Sequence, residues 1–282
     1  MKVLSTKDTV KKFLHDLPSN QTTVGLVPTM GALHEGHLDL VKKAKENSDI
    51  VIVSIFVNPT QFNNPDDFAK YPKTLDKDLD LLKNFGVDAV FVPENQEVYP
   101  EYPAIKINFG NLERVLEGAF RPGHFNGVGI VVSKLLNIVK PHKAFFGQKD
   151  LQQVAVIKRL VKDLSFDVEI IVVPTVRESS GLALSSRNLR LSPEQREIAL
   201  VLYSSLSFAK TELLKGASWF KVKSEIEMLF QQTPQVELEY FELVDSEKMT
   251  VLEGLQVGIP ISICVASYVG EVRLIDNISV NH

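Results

Sequence analysis

Cysteine is nearly missing from this chain of 282 residues: Cys264 stands alone. That excludes an intrachain disulfide and a cysteine-rich zinc site, and it suits a reducing cytoplasm. Charge of one sign is not in excess either. A formal net charge of −4 gives no general attraction for nucleic acid or an anionic membrane surface, and neither is expected as a partner. No apolar run is long. The longest, Ile50–Val57, is broken by Ser54 and is far too short to span a bilayer. Met1 to Lys7 hold no apolar core of the signal-peptide kind, so a cytoplasmic location is expected. Several phosphate and nucleophile signatures are absent too. There is no Gly-x4-Gly-Lys-Ser/Thr loop, no Gly-x-Gly-x-x-Gly after the first strand and no Gly-x-Ser-x-Gly elbow. These absences argue against a Walker-type nucleotidase, a dinucleotide oxidoreductase and a serine hydrolase.

What is present is an ordinary globular composition, 44% hydrophobic and 23% charged. The length suits one large domain or two ordinary ones. The first part alternates strand-like and helix-like segments. Val24–Val27 reads as a strand, and a helix from His34 to Asn47 follows. Ile50–Val57 is an almost continuous β-branched run, as in a strand buried on both faces. Thr74 is a candidate cap for a helix running to Phe85. Ala89–Val92, Ile105–Phe109, Ala144–Phe146 and Val168–Val173 read as further strands, with helices at Val128–Val139 and Asp150–Leu164. This alternation predicts a Rossmann-like, doubly wound parallel α/β sheet. Near residue 175 the pattern changes. Helices at 193–215 and 218–230 are followed by strands with no helix between them: Val236–Val244, Ile261–Tyr268 and Val272–Ile275. The expected division is a nucleotide- and substrate-binding domain over 1–176 and a smaller α+β lid domain over 177–282.

Polar clusters follow several strands, where a parallel sheet would present them on one edge. The most informative is Met30-Gly31-Ala32-Leu33-His34-Glu35-Gly36-His37. Histidines at i, i+3 share one face of a helix start, where free N–H groups and the positive dipole end favour an anion. Others are Asn58-Pro59-Thr60-Gln61-Phe62, Gly147-Gln148-Lys149-Asp150-Leu151-Gln152-Gln153 and Val176-Arg177 with Leu184-Ser185-Ser186-Arg187-Asn188. Each has a plainer reading: His34 and His37 as exposed first-turn residues, Lys149-Asp150 as a surface cap, Gln61 as a turn residue, Ser185–Asn188 as a polar loop. His124 fits a loop or core position better than catalysis, and Cys264 sits in an apolar strand. Taken together, the clusters suit a nucleotide triphosphate, because phosphoryl or nucleotidyl transfer needs mainly positioning and charge stabilisation.

His34-Glu35-Gly36-His37 is similar to the His-x-Gly-His signature of a nucleotidyltransferase superfamily that includes class I aminoacyl-tRNA synthetases. Longer strings are more specific: Pro28–His34, Phe56–Phe62, Arg121-Pro122-Gly123-His124-Phe125, Phe146–Asp150 and Gly181–Asn188. In this order, over nearly the whole chain, they resemble the pantothenate synthetase (pantoate–β-alanine ligase) family. The resemblance implies an ATP-dependent ligation. Pantoate is activated as pantoyl-adenylate with release of pyrophosphate, and β-alanine then displaces AMP. It implies Mg²⁺ carried mainly by ATP, with protein metal ligands unknown, no organic prosthetic group, and a homodimer.

The resemblance also assigns residues. Met30, Gly31, Ala32, Leu33, His34, Glu35, Gly36, His37, Gly147, Gln148, Lys149, Asp150, Val176, Leu184, Ser185, Ser186 and Arg187 line ATP. Of these, His37, His34, Lys149 and Arg187 are implied to be catalytic. Gln61 and Gln153 hold pantoate, and Gln61 also borders β-alanine. The alternatives are another His-x-Gly-His enzyme that leaves the nucleotide on its product, or a nucleotide-binding protein without catalysis.

Overall fold

The computed structural model describes residues 1–19, 21–63 and 65–280. The apolar runs form strands β1 (Lys2–Leu4), β2 (Val24–Thr29), β3 (Ile50–Ile55), β4 (Ala89–Phe91), β5 (Lys143–Gly147) and β6 (Glu169–Val173). They make one sheet in the order β1-β4-β3-β2-β5-β6, with every pairing parallel. The β-branched run of β3 is buried from Val51 to Ile55, as a central strand covered on both faces requires. The register pairs Val24 with Ile50 through Thr29 with Ile55. On its other side β2 pairs with β5. The strand order therefore reverses between β2 and β5. In a parallel α/β sheet, loops leaving the carboxyl ends at such a switch point diverge and open a crevice.

Three further strands, β7 (Val236–Asp245), β8 (Ile261–Val269) and β9 (Val272–Ser279), form an antiparallel sheet in that order. Helices Pro193–Leu214 and Trp219–Gln232 pack with it through Leu202, Leu206, Val222, Ile226 and Phe230. Ser192 begins the first of them with a capping box, and Pro193 follows at the first helical position. Cys264 is buried in β8. The parallel and the antiparallel sheet are both expected from the sequence, but the edge strand Lys2–Leu4 is not, and several strand ends differ by a few residues.

Two local expectations fail. Ile105–Phe109 forms no strand. Ile107 instead donates its N–H to the side-chain oxygen of Asn126, 2.8 Å away, so a side chain replaces the ladder. Thr74 stands at the N-cap of helix Leu75–Asn84 but makes no capping hydrogen bond; its hydroxyl turns to the carboxylate of Asp78. Among the described residues no helix is long and apolar enough to cross a membrane.

The chain divides into two compact units. The first comprises Met1–Phe109, Arg121–Gln148 and Val156–Pro174, and the second Gly110–Phe120, Lys149–Ala155 and Thr175–His282. Two stretches that precede residue 176 thus belong with the C-terminal residues. The buried side chain of Gln152 shows the physical reason. Its amide oxygen accepts the N–H of Glu117, and its nitrogen donates to the carbonyls of Leu112 and Val115.

Candidate active site

In the first unit the chain leaves β2 through two left-handed residues, Gly31 (φ +81°) and Ala32 (φ +51°). Glycine takes such a conformation freely and alanine does not, so the turn needs outside support. Asp78, buried on helix Leu75–Asn84, supplies it. Its carboxylate accepts the N–H groups of Ala32 at 2.9 Å and Leu33 at 2.8 Å. These amides already have a strong partner. Any contact this loop makes with a nucleotide must use its other atoms.

His34 follows as the N-cap of helix Glu35–Asn47. Its Nδ1 accepts the N–H of Gly36 at 3.2 Å, and Nδ1 of His37 accepts the N–H of His34 at 3.4 Å. The two rings lie 4.1 Å apart. A ring nitrogen that accepts carries no proton, so in each neutral ring the proton sits on Nε2. Serine or aspartate could cap the helix equally well. Histidine adds a donor on the far side of the ring, at a terminus whose dipole already favours an anion.

Beyond β3, the turn Pro59–Gln61 is built around Asn58, which is 1% exposed. The oxygen of Asn58 accepts from the hydroxyls of Tyr99 (2.8 Å) and Thr60 (3.0 Å). Its nitrogen donates to Oε1 of Gln61 (3.0 Å) and to the carbonyl of Gly127 (3.3 Å). Burial raises the pKa of Tyr99, which keeps it a donor. With its oxygen taken, the buried Gln61 is left with an NH₂ group that, among the described residues, meets only the thioether of Met30, at 3.2 Å. Sulfur is a weak acceptor, and a carboxylate or hydroxyl oxygen would replace it with gain. His124 is buried, as expected, and its Nδ1 lies 2.8 Å from the carbonyl oxygen of Gln61. Helix His124–Val139 comes close to this turn at Gly127, where a Cβ would collide with the Thr60 carbonyl.

The other sequence-predicted residues, except Gly147 and Gln148 at the end of β5, lie in the second unit. Lys149 and Asp150 form a 3.6 Å ion pair. Gln153 is half-buried beside the buried Gln152. The segment from Val176 to Leu184 is a tight hairpin. Leu184 N–H donates to the Val176 carbonyl, Glu178 N–H to Leu182, and Gly181 turns the chain at φ +97°. The hairpin delivers Ser185, whose hydroxyl accepts the Arg187 N–H at 3.2 Å and caps the turn Ser186–Arg190. Ser185 and Arg187 are half-buried, whereas Ser186 is buried.

The sequence matches the profile of the Pantoate-beta-alanine ligase family over residues 2–279. The chain belongs to this family. A pantothenate synthetase from Thermotoga petrophila is 46% identical over 278 residues, which are 98% of this chain and 99% of that protein. The crystal structure of pantothenate synthetase from Thermus thermophilus superposes with a TM-score of 0.92 at 42% identity, covering both chains completely. The pantoate–β-alanine ligase of Francisella tularensis, solved with β-γ ATP and β-alanine, gives a TM-score of 0.82 at 39% identity. It covers 99% of this chain and 98% of its own. As a member of the family the chain is an ATP-using ligase of pantothenate synthesis.

Sequence reading of this ligase missed Asp78 and understated Asn58. Asp78 lies in an ordinary amphipathic helix, and nothing in the local pattern marks a carboxylate that folds back on a loop over forty positions earlier. Asn58 carried a signal, an Asn-Pro pair after a buried strand, but one that reads only as a stop.

Proposed function

We propose that this ligase activates pantoate as an acyl-adenylate and transfers the acyl group to β-alanine. In the first step a carboxylate oxygen of pantoate forms a bond to the α-phosphorus of ATP. The bond from that phosphorus to the bridging oxygen breaks, and pyrophosphate leaves. In the second step the amine of β-alanine attacks the acyl carbon. AMP leaves with the electron pair of the C–O bond, and the amine gives up a proton. The first step brings two anions together, so its barrier is set by how well the site offsets negative charge on the phosphates.

The capped histidine pair is the observation that carries this reading. His34 and His37 present Nε2–H donors at the start of a helix, each with its tautomer set by a backbone amide. In this role they are hydrogen-bond donors, and neither has to hold a full charge. Lys149 and Arg187 supply the positive charge, and Ser185 a further hydroxyl. Gln61 and Gln153 hold pantoate, with the NH₂ of Gln61 exchanging its sulfur contact for a substrate oxygen; Gln61 also borders β-alanine. Met30–Leu33, Glu35, Gly36, Gly147, Gln148, Asp150, Val176, Leu184 and Ser186 complete the ATP contacts. Mg²⁺ enters with ATP as part of that substrate. Among the described residues no three His, Cys, Asp or Glu side chains gather as a metal site. The proposal extends to a homodimer acting in the cytoplasm.

The test is product analysis with pantoate, β-alanine and MgATP. Free AMP and pantothenate in equal amounts are expected. A product that keeps the nucleotide would favour another His-x-Gly-His transferase, and no turnover at all would refute the proposal.

A further inference from the structure

Asp276 and Asn277 are consecutive residues of β9, each 4% exposed, and none of the roles above uses them. The carboxylate of Asp276 takes both terminal nitrogens of Arg177, at 2.5 and 2.9 Å. Arg177 also donates to the carbonyls of Gly181 (3.2 Å) and Asn277 (3.0 Å), and its guanidinium lies 4.2 Å from the centre of the Tyr203 ring. Arg177 belongs to the first arm of the 176–184 hairpin, and Gly181 to its turn. Asp276 therefore grips, through one arginine, the hairpin that delivers Ser185, Ser186 and Arg187. The neighbouring Asn277 donates its side-chain NH₂ to the main-chain carbonyl of Lys149 at 2.9 Å. One dipeptide on a hydrogen-bonded strand thus reaches both second-unit segments that carry the phosphate-directed residues. Sites held by regular strands are more tightly defined than sites on loops alone.

We propose that Asp276 and Asn277 are positioning residues for the adenylation step, setting the places of Lys149 and of the Ser185–Arg187 turn. The inference rests on the assignment of Lys149 and Arg187 to ATP made above. It has a consequence that a purely structural role lacks. Pyrophosphate departs before β-alanine reacts, so groups that serve the phosphates have little work in the second step.

The experiment compares the two half-reactions in Asn277→Ala. Adenylation is read as pantoate-dependent exchange of labelled pyrophosphate into ATP, and acyl transfer as pantothenate formed from supplied pantoyl-adenylate and β-alanine. Exchange should fall about 10- to 100-fold, the size of loss that a small misplacement of a positioned group produces. Acyl transfer should stay within about twofold of wild type. In a Lys149→Ala background the Asn277 change should add almost nothing, because residues acting through one another are not additive. Equal losses in both half-reactions, or losses that multiply with Lys149→Ala, would overturn the proposal. Should Asn277→Ala fail to fold, Arg177→Lys keeps the charge, loses the two-pronged grip on Asp276, and is read by the same half-reaction comparison. A wild-type protein without pantoate-dependent exchange would instead sink the adenylation reading itself. Undiminished exchange in Lys149→Ala would sink the assignment of that lysine.

Discussion

His34 closes the helix start through Nδ1, and the proposed function gives its Nε2–H a second job as a donor to ATP. The jobs are separable by substitution. Asparagine is also a good N-cap, whereas alanine is not. His34→Asn should therefore keep wild-type stability, and His34→Ala should lose about 1 kcal/mol in urea unfolding. Both should lose adenylation by about 10²-fold, the scale of a missing transition-state donor. Normal exchange rates in His34→Asn would show that only the cap matters. The placing of both histidine rings at one helix start was legible in the sequence, because their spacing and their position after a strand are local features. The residues that hold the backbone at Ala32-Leu33, the side chain of Gln61 and the backbone at Lys149 were not. Asp78, Asn58 and Asn277 act across the fold on main-chain or amide groups, and an isolated polar residue in a helix or strand does not say what it will meet.

At the scale of elements, the short helix Leu116–Phe120 shows how a segment from the middle of the chain is held in the second unit. Glu117 is buried and receives Arg273 at 2.7 and 2.9 Å and the hydroxyl of Tyr240 at 2.7 Å. Glu239 also contacts Arg273, at 2.6 Å. Burial works against the charge of Arg273, but the Glu117 and Glu239 carboxylates more than offset it and raise its pKa. Burial, and then the charge of Glu117, push the Tyr240 hydroxyl well up, so it remains a donor. Removing one member of such a cluster strands the others. Glu117→Ala should cost about 3 kcal/mol in urea unfolding, the lower end for breaking a buried pair, because Glu239 still attends Arg273. A loss below about 1 kcal/mol would mean that the cluster contributes no more than a surface pair. Strand and helix types were readable here because hydrophobic period is a local property. Ile105–Phe109 misled for the same reason: its apolar residues suggest a strand, but strand pairing depends on neighbours that sequence pattern does not reveal. The discontinuous second unit was equally hidden, since Gln152 and Glu117 look like ordinary surface residues until their partners are known.

For the whole molecule, the parallel sheet does most to make the chemistry possible. Its order reverses between β2 and β5, which sends the His34–His37 helix start and the Gly147-Gln148 turn away from neighbouring strands. The run of β-branched strands made that sheet legible, and the collinear motifs pointed to the family later found over residues 2–279. The proposed reaction depends on one bond: pantoate's own carboxylate oxygen must join the α-phosphorus. Pantoate labelled with ¹⁸O in its carboxyl group tests this directly when it is turned over with MgATP and β-alanine and the AMP is weighed by mass spectrometry. The account predicts AMP carrying one ¹⁸O atom. Unlabelled AMP formed alongside pantothenate would contradict it.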